Sequence, residues 1–118
     1  MKNLSILVVE DEMMVLLMIE DMLEDFGCET CASAATCDQA FQHLGERNFD
    51  AAILDINLNG ERSDEIARSL IENGTSFMFC SGNSVDDLPA QFRNYPFLRK
   101  PFSYEQFTKK LNEILPTG

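Results

Sequence analysis

The chain has no tryptophan, one histidine, and only nine lysines and arginines against 20 aspartates and glutamates. A net charge of −11 over 118 residues argues against binding DNA or RNA through the phosphate backbone, which needs a basic footprint. No apolar stretch reaches the ~18 residues of a membrane span. The longest run, Met13–Ile19, is bounded by acids and reads as neither anchor nor signal peptide. Met1-Lys2-Asn3-Leu4 runs almost at once into the first strand, leaving no room for a presequence, so cytoplasmic residence is the expectation. Pro/Ser-rich linkers, repeats and low-complexity tracts are also missing, which leaves one domain over 1–118. What remains is 45% apolar, enough to fill a core without disulfides or structural metal.

Four cysteines invite a metal or redox reading. Cys28 and Cys31 form a C-x-x-C, and Cys37 and Cys80 would complete four ligands. If 28–34 is a strand, however, residues three apart point to opposite faces and cannot share an ion. A redox C-x-x-C would open a helix after a strand, and this one does not. Small, buried or half-buried hydrophobes is the reading kept. His43, the lone histidine, reads as an exposed helix residue; phosphotransfer would need a helical bundle this chain cannot supply.

Strand and helix patterns alternate five times. Residues 5–9 read as the first strand. Met13–Phe26 is helical, with Val15, Ile19, Met22 and Phe26 on one face and Gly27 as its C-cap. A weaker edge strand covers 28–33. Thr36 or Asp38 caps a second helix carrying Ala40, Phe41 and Leu44. Phe49–Leu54 is the third strand, and Asn57-Leu58-Asn59-Gly60 turns out of it. The third helix turns Ile66, Ala67, Leu70 and Ile71 inward, and Ser76–Cys80 is the fourth strand. A fourth helix over 85–94 must place Pro89 in its first turn or break there. Phe97–Arg99 is the fifth strand, and a last helix carries Tyr104, Phe107, Leu111 and Ile114 on its core face. The pattern predicts an α/β fold: a doubly wound, five-stranded parallel sheet in a three-layer sandwich, with the flavodoxin-like order 2-1-3-4-5.

In such a sheet the carboxyl ends of the strands share one edge, where ligands bind. Glu10, Asp11, Asp55, Ser81 and Lys100 each follow a buried-looking run and would meet there. At ~4 Å and an effective dielectric of ~20, each like-charged carboxylate pair costs about 4 kcal/mol. Lys100 neutralises one charge, and the rest attracts a divalent ion. The donors are oxygens, so Mg²⁺ or Mn²⁺ fits and Zn²⁺ does not. A carboxylate is also a nucleophile able to form an aspartyl phosphate. Asp55, ending the most buried-looking strand, is the best candidate. Glu10 and Asp11 would hold metal, while Lys100 and Ser81 would meet phosphoryl oxygens.

The segments Val8-Val9-Glu10-Asp11-Glu12, Leu54-Asp55-Ile56-Asn57-Leu58-Asn59-Gly60, Phe79-Cys80-Ser81-Gly82 and Lys100-Pro101-Phe102 resemble those of two-component response-regulator receiver domains over nearly the whole chain. The resemblance implies that Asp55 accepts phosphate from the phosphohistidine of a sensor kinase or histidine phosphotransfer protein. It implies Mg²⁺ held by Asp11, Asp55 and the Asn57 backbone carbonyl, with Glu10 acting through water. It also implies that Ser81 and Lys100 contact the phosphoryl group, that Lys100–Pro101 is cis, and that Ser81 and Phe97 form the switch. Pro96–Phe102 resembles a narrower group of single-domain receivers marked PFxxKPF. Two departures stand out. Phe97 lacks the hydroxyl a Tyr would bring, and Ser81-Gly82-Asn83 stands where that group often has Thr-Gly-Tyr.

Met14, Leu17 and Met18 have two readings: a wide core face, or a Met-rich patch for a partner helix. The resemblance implies that the kinase's helical pair docks on the first helix and on the loop before the last, where Phe102 and Tyr104 would border the patch. Only Pro116-Thr117-Gly118 follows the last helix, so no output domain is expected. A monomer signalling by protein contact, through the fourth helix–fifth strand face, or by phosphate exchange is the consequence. Two alternatives remain. One is a phosphate-independent binding module. The other is an Asp-nucleophile phosphatase, which would want an acid where Asn57 stands.

Overall fold

The computed structural model describes residues 4–28 and 30–115. Met1-Lys2-Asn3 and Pro116-Thr117-Gly118, on which the expectations about leader and output domain rest, lie outside the described residues. Strands β1 (Ser5–Val9), β2 (Thr30–Ala34), β3 (Ala51–Leu54), β6 (Ser76–Ser81) and β7 (Phe97–Arg99) form one parallel sheet in the order β2-β1-β3-β6-β7. Counted along this sheet, that is the expected 2-1-3-4-5. A hairpin, β4 (Asn57–Leu58) and β5 (Glu61–Arg62), stands apart. Its turn residues, Asn59 and Gly60, have φ of 50° and 94°, the left-handed conformation that a two-residue hairpin loop demands and Asn-Gly tolerates.

The unbroken apolar runs follow from burial on both sheet faces. Successive strand side chains alternate in direction. Leu7, Val9, Ala52, Leu54, Phe77 and Phe79 therefore join one core, and Ile6, Val8, Ala51, Ile53, Met78 and Cys80 the other. Helices α2 (Cys37–Glu46) and α3 (Asp64–Glu72) cover the first through Ala40, Ile66, Ala67 and Leu70. Helices α1 (Met13–Phe26) and α4 (Tyr104–Ile114) cover the second through Leu16, Ile19, Leu23, Phe107, Leu111 and Ile114. Thr36 caps α2 by accepting from the Gln39 N–H at 3.1 Å, and Ser103 and Gln106 form a reciprocal capping box at α4. Phe107 is fully buried and stacks on Phe102 with ring centroids 5.8 Å apart. Phe107→Ala is expected to cost about 3–5 kcal/mol in denaturant unfolding; a loss below ~1 kcal/mol would contradict this core assignment.

Several expectations shift. The second strand begins at Thr30, not at Cys28, and the third at Ala51, not at Phe49. The fully buried stripe of α1 is Leu16, Ile19 and Leu23, and Val15, Met22 and Phe26 pack half-buried beside it, because a run that is apolar all round gives periodicity no unique face. Ile71 and Tyr104 are exposed rather than inward, and Phe41 is exposed as well. Phe41 and Ile71 sit 100° around the helix from Ala40 and Leu70, which take the centre of the contact. The fourth helix is absent. Two 3₁₀ turns, Val85–Asp87 and Ala90–Phe92, take its place. Pro89 forces Leu88 into an extended conformation (ψ 147°), and the segment is anchored by buried Leu88 and Phe92. His43 is half-buried, with Nε2 2.9 Å from the Ser33 carbonyl. A carbonyl only accepts, so Nε2 carries the proton there. Cys31, Cys37 and Cys80 are free thiols, and burial pushes those of Cys31 and Cys80 up to about 12.

Candidate functional site

Register sets the site. Val9 pairs with Leu54, Leu54 with Phe79, and Ser81 with Arg99, so the strands of the central sheet end at one level. The first residue past each end is held by the ladder. The Asp55 N–H donates to the Val9 carbonyl, the Glu10 N–H to Ala34 and the Lys100 N–H to Ser81, each at 2.9 Å. Five residues that the sequence scatters over 91 positions (10 to 100) are thereby brought to one sheet edge.

Lys100 Nζ lies 2.7 Å from Glu10 Oε1, 3.2 Å from Asp55 Oδ2 and 3.4 Å from Glu12 Oε1. Glu10 and Asp55 are 2% and 6% exposed, so solvent screens these pairs little. Carboxylate oxygens of Glu10, Asp11 and Asp55 all lie within 4.8 Å of one another. One ammonium serves Glu10, Glu12 and Asp55, and Asp11 has no cation of its own among the described residues. Burial pushes the Glu10 carboxyl up to about 7, with the charge of Asp55 adding to the rise and the Lys100 hydrogen bond opposing it. Burial alone would lower the Lys100 ammonium. The hydrogen bond to Glu10 and the charge of Asp55 outweigh it and hold Lys100 above the usual lysine value.

A cleft of about 350 Å³ opens above this group, lined by Asp11, Asp55, Asn57, Ser81, Gly82 and Lys100 among others. Glu10 lies beneath it, its second oxygen accepting from the Glu12 N–H at 3.1 Å. Ser81 is 2% exposed and its Oγ accepts from the Asn83 N–H at 3.1 Å, which leaves the hydroxyl proton to offer to a ligand oxygen. The Asn57 side chain accepts from the Gly60 N–H at 3.1 Å, fixing the hairpin that walls one side. Lys100–Pro101 is cis. An all-oxygen donor set of this charge suits a hard divalent cation and has no soft or imidazole ligand to favour zinc.

Ser63 went unnoticed in the sequence. It is fully buried, and its Oγ donates to the Asp55 carbonyl at 2.6 Å and approaches that of Ile56 at 3.3 Å. A serine before Asp64-Glu65 reads as an ordinary helix N-cap, but here the side chain makes no cap bond and instead clamps the backbone under Asp55. Nothing local distinguishes the two uses. Ser63→Ala is expected to cost about 1–3 kcal/mol, because it orphans a buried acceptor. A wild-type unfolding free energy would refute that role. Glu12, noted only as an acid, is the other omission: it supplies the third carboxylate around Lys100.

The remaining candidates separate. Phe97 is half-buried against the core that holds Phe79 and Phe92. Met14 and Leu17 are 82% and 50% exposed. With Met18 and Tyr104 they line a groove of about 470 Å³ between α1 and the start of α4. Phe102 does not join them. It is 8% exposed and stacked on Phe107, because the turn ahead of α4 directs its ring into the core and away from any partner.

Comparison with known proteins agrees with this geometry. The family model for the response regulator receiver domain matches residues 6–112. The solution structure of SdrG from Sphingomonas melonis Fr1 is 35% identical and superposes with a TM-score of 0.87 over 97% of this chain and 98% of that one. The BeF3-activated conformation of SdrG, from Pseudomonas melonis Fr1, gives 36% identity and 0.84 over 98% and 100%. The two-component response regulator PhoP of Pseudomonas aeruginosa is 28% identical over 95% of this chain, which spans about half (52%) of PhoP's length. Since the matched segment takes in the strand ends that carry Glu10, Asp11, Asp55, Ser81 and Lys100, the chain belongs to the response regulator receiver domain family, whose members are phosphorylation-dependent switches of two-component signalling.

Proposed function

We propose that Asp55 is the phosphoacceptor and that a sensor histidine kinase or histidine phosphotransfer protein is the donor. The observation that carries this is Lys100 Nζ seated 3.2 Å from Asp55 Oδ2 at the floor of an open anionic cleft. A carboxylate oxygen of Asp55 attacks phosphorus. The new O–P bond forms as the P–N bond of phosphohistidine breaks, and the imidazole nitrogen leaves with the electron pair. Lys100 offers a positive charge to the incoming phosphoryl oxygens, and Ser81 offers its hydroxyl. Asp11, Asp55 and the Asn57 carbonyl would hold Mg²⁺ (or Mn²⁺), with Glu10 acting through water, and the bound ion would neutralise phosphoryl charge.

Once phosphorylated, Asp55 competes with Glu10 for Lys100, and Ser81 and Phe97 form the responding switch. Kinase docking falls on Met14, Leu17 and Met18, bordered by Tyr104, because this exposed apolar groove flanks the cleft edge of the sheet. Onward signalling runs by protein contact or phosphate exchange. The test is incubation with Mg²⁺ and acetyl phosphate, followed by intact-mass measurement. One phosphoryl group at Asp55 is the expected result, and no gain in mass with a competent donor would overturn the proposal. Rapid turnover of small phosphate esters would point instead to a phosphatase.

A further inference from the structure

Two loops wall the cleft. The β4–β5 hairpin supplies Asn57, Asn59 and Gly60, and the turn after β6 supplies Ser81, Gly82 and Asn83. Arg62 connects them. It stands opposite Asn57 in the antiparallel β4–β5 pair. Its Nε donates to Asp64 Oδ2 at 3.3 Å, in the first turn of α3. A terminal N–H of the same guanidinium donates to the Asp87 carbonyl at 3.2 Å. Among the described residues this is the one side-chain hydrogen bond that joins 57–62 to 81–88.

Asp87 is a firm point of attachment. Ser84 Oγ accepts from the Asp86 N–H, and Asp87 Oδ2 accepts from the Ser84 N–H, each at 3.2 Å, which closes a capping box over 84–87. Asn83, next to that box, donates its N–H to Ser81 Oγ at 3.1 Å. From the other side Arg93 grips the carbonyls of Asp86 and Leu88. The backbone of Arg62 is held as well, since the Cys37 thiol donates to its carbonyl at 3.5 Å. The Arg62 side chain is about half exposed, so its ion pair with Asp64 adds little stability. Its rigid fork instead suits it to hold two partners at a set spacing. We infer that Arg62 is a positioning residue: it straps the wall that bears the Asn57 carbonyl to the wall that bears Ser81, and so fixes the width of the cleft before a ligand enters. A site ordered in advance binds more tightly than one ordered on binding. Resting on the acceptor and metal reading of the cleft, this role adds the part that holds its walls together.

The test compares wild type with Arg62→Gln. In metal-free protein, amide hydrogen exchange should quicken several-fold at 57–62 and 84–88, and by more than in β1 and β3, where exchange reports global unfolding. Mg²⁺ titrated by NMR should bind several-fold more weakly. At saturation the amide shifts it induces at 84–88 should shrink while those at 55–60 remain. Charge alone would tighten Mg²⁺ binding on loss of a cation, and a purely structural role would leave the affinity of the folded variant unchanged, so weaker binding identifies positioning. Arg68→Gln, which removes a similarly exposed ion pair within α3, should bind Mg²⁺ as wild type does. Wild-type or tighter Mg²⁺ binding in Arg62→Gln, or exchange that quickens no more at 57–62 and 84–88 than in β1 and β3, would overturn the assignment. Failure of the wild type to gain mass from acetyl phosphate would remove the acceptor reading alone, because the exchange measurement uses neither phosphate nor metal.

Discussion

Asp55→Asn is expected to keep its fold and take up no phosphoryl group from acetyl phosphate or from a kinase. The amide preserves the shape of a side chain that is only 6% exposed and leaves Lys100 its closer partner, Glu10, at 2.7 Å. It removes the anionic oxygen, and an amide is too weak a nucleophile to form an acyl phosphate. Circular dichroism and intact mass together decide the matter: a wild-type spectrum with no mass gain is the expected pair. A full mass gain in this variant would place the acceptor elsewhere. Chelating divalent cations should suppress phosphorylation of the wild type, since three carboxylate oxygens within 4.8 Å repel an incoming phosphate until their charge is offset.

Lys100→Met has the second largest expected effect, and it acts on stability as well as chemistry. Its ammonium is shared by Glu10, Asp55 and Glu12, and the first two are buried. Removing it leaves those carboxylates facing one another without a cation, which costs roughly 3–5 kcal/mol for a buried pair at neutral pH. Phosphorylation of Asp55 should slow on the order of 10²-fold, the usual cost of deleting a charged transition-state partner. The stability loss has a pH signature in chelator-treated protein. Burial raises the folded-state pKa of Glu10 from its ordinary 4.5 to about 7, so the folded protein binds a proton there more tightly than the unfolded chain. That contribution is complete below about 4.5 and disappears as pH rises through about 7. Without Lys100 to oppose protonation, the window extends upward, and the deficit of Lys100→Met should shrink between pH 8 and pH 5. A deficit that is flat across that range would show that Glu10 does not titrate as its burial requires.

Much of the fold was legible because both levels of pattern agree. Apolar runs that bury every residue demand a sheet covered on both faces, and five strand–helix alternations limit its topology. Pro89 announced its own conflict, and the structure resolved it by breaking the helix into two short turns. The misplacements have a different origin. Hydrophobicity alone turns Ile71 inward, yet it is exposed, because a helix on a sheet buries one narrow stripe and neighbouring apolar residues compete for it. Phe102 went the other way, since a turn residue's direction is set by packing and carries no periodic signal.

The chain by itself determined which groups would share the sheet edge, because a parallel sheet places the ends of all its strands on one side and the acids, the hydroxyl and the lysine each follow a strand. Only the tertiary structure decided how those groups partition. Lys100 sits closest to Glu10 rather than to Asp55, and Ser63 grips the backbone of Asp55 instead of capping its own helix. Arg62 also ties the hairpin to Asp87, 25 positions on. The reason is physical. Periodicity reports the face on which a residue lies, whereas an ion pair between residues 45 or 88 positions apart depends on ångström-scale packing that no local pattern encodes.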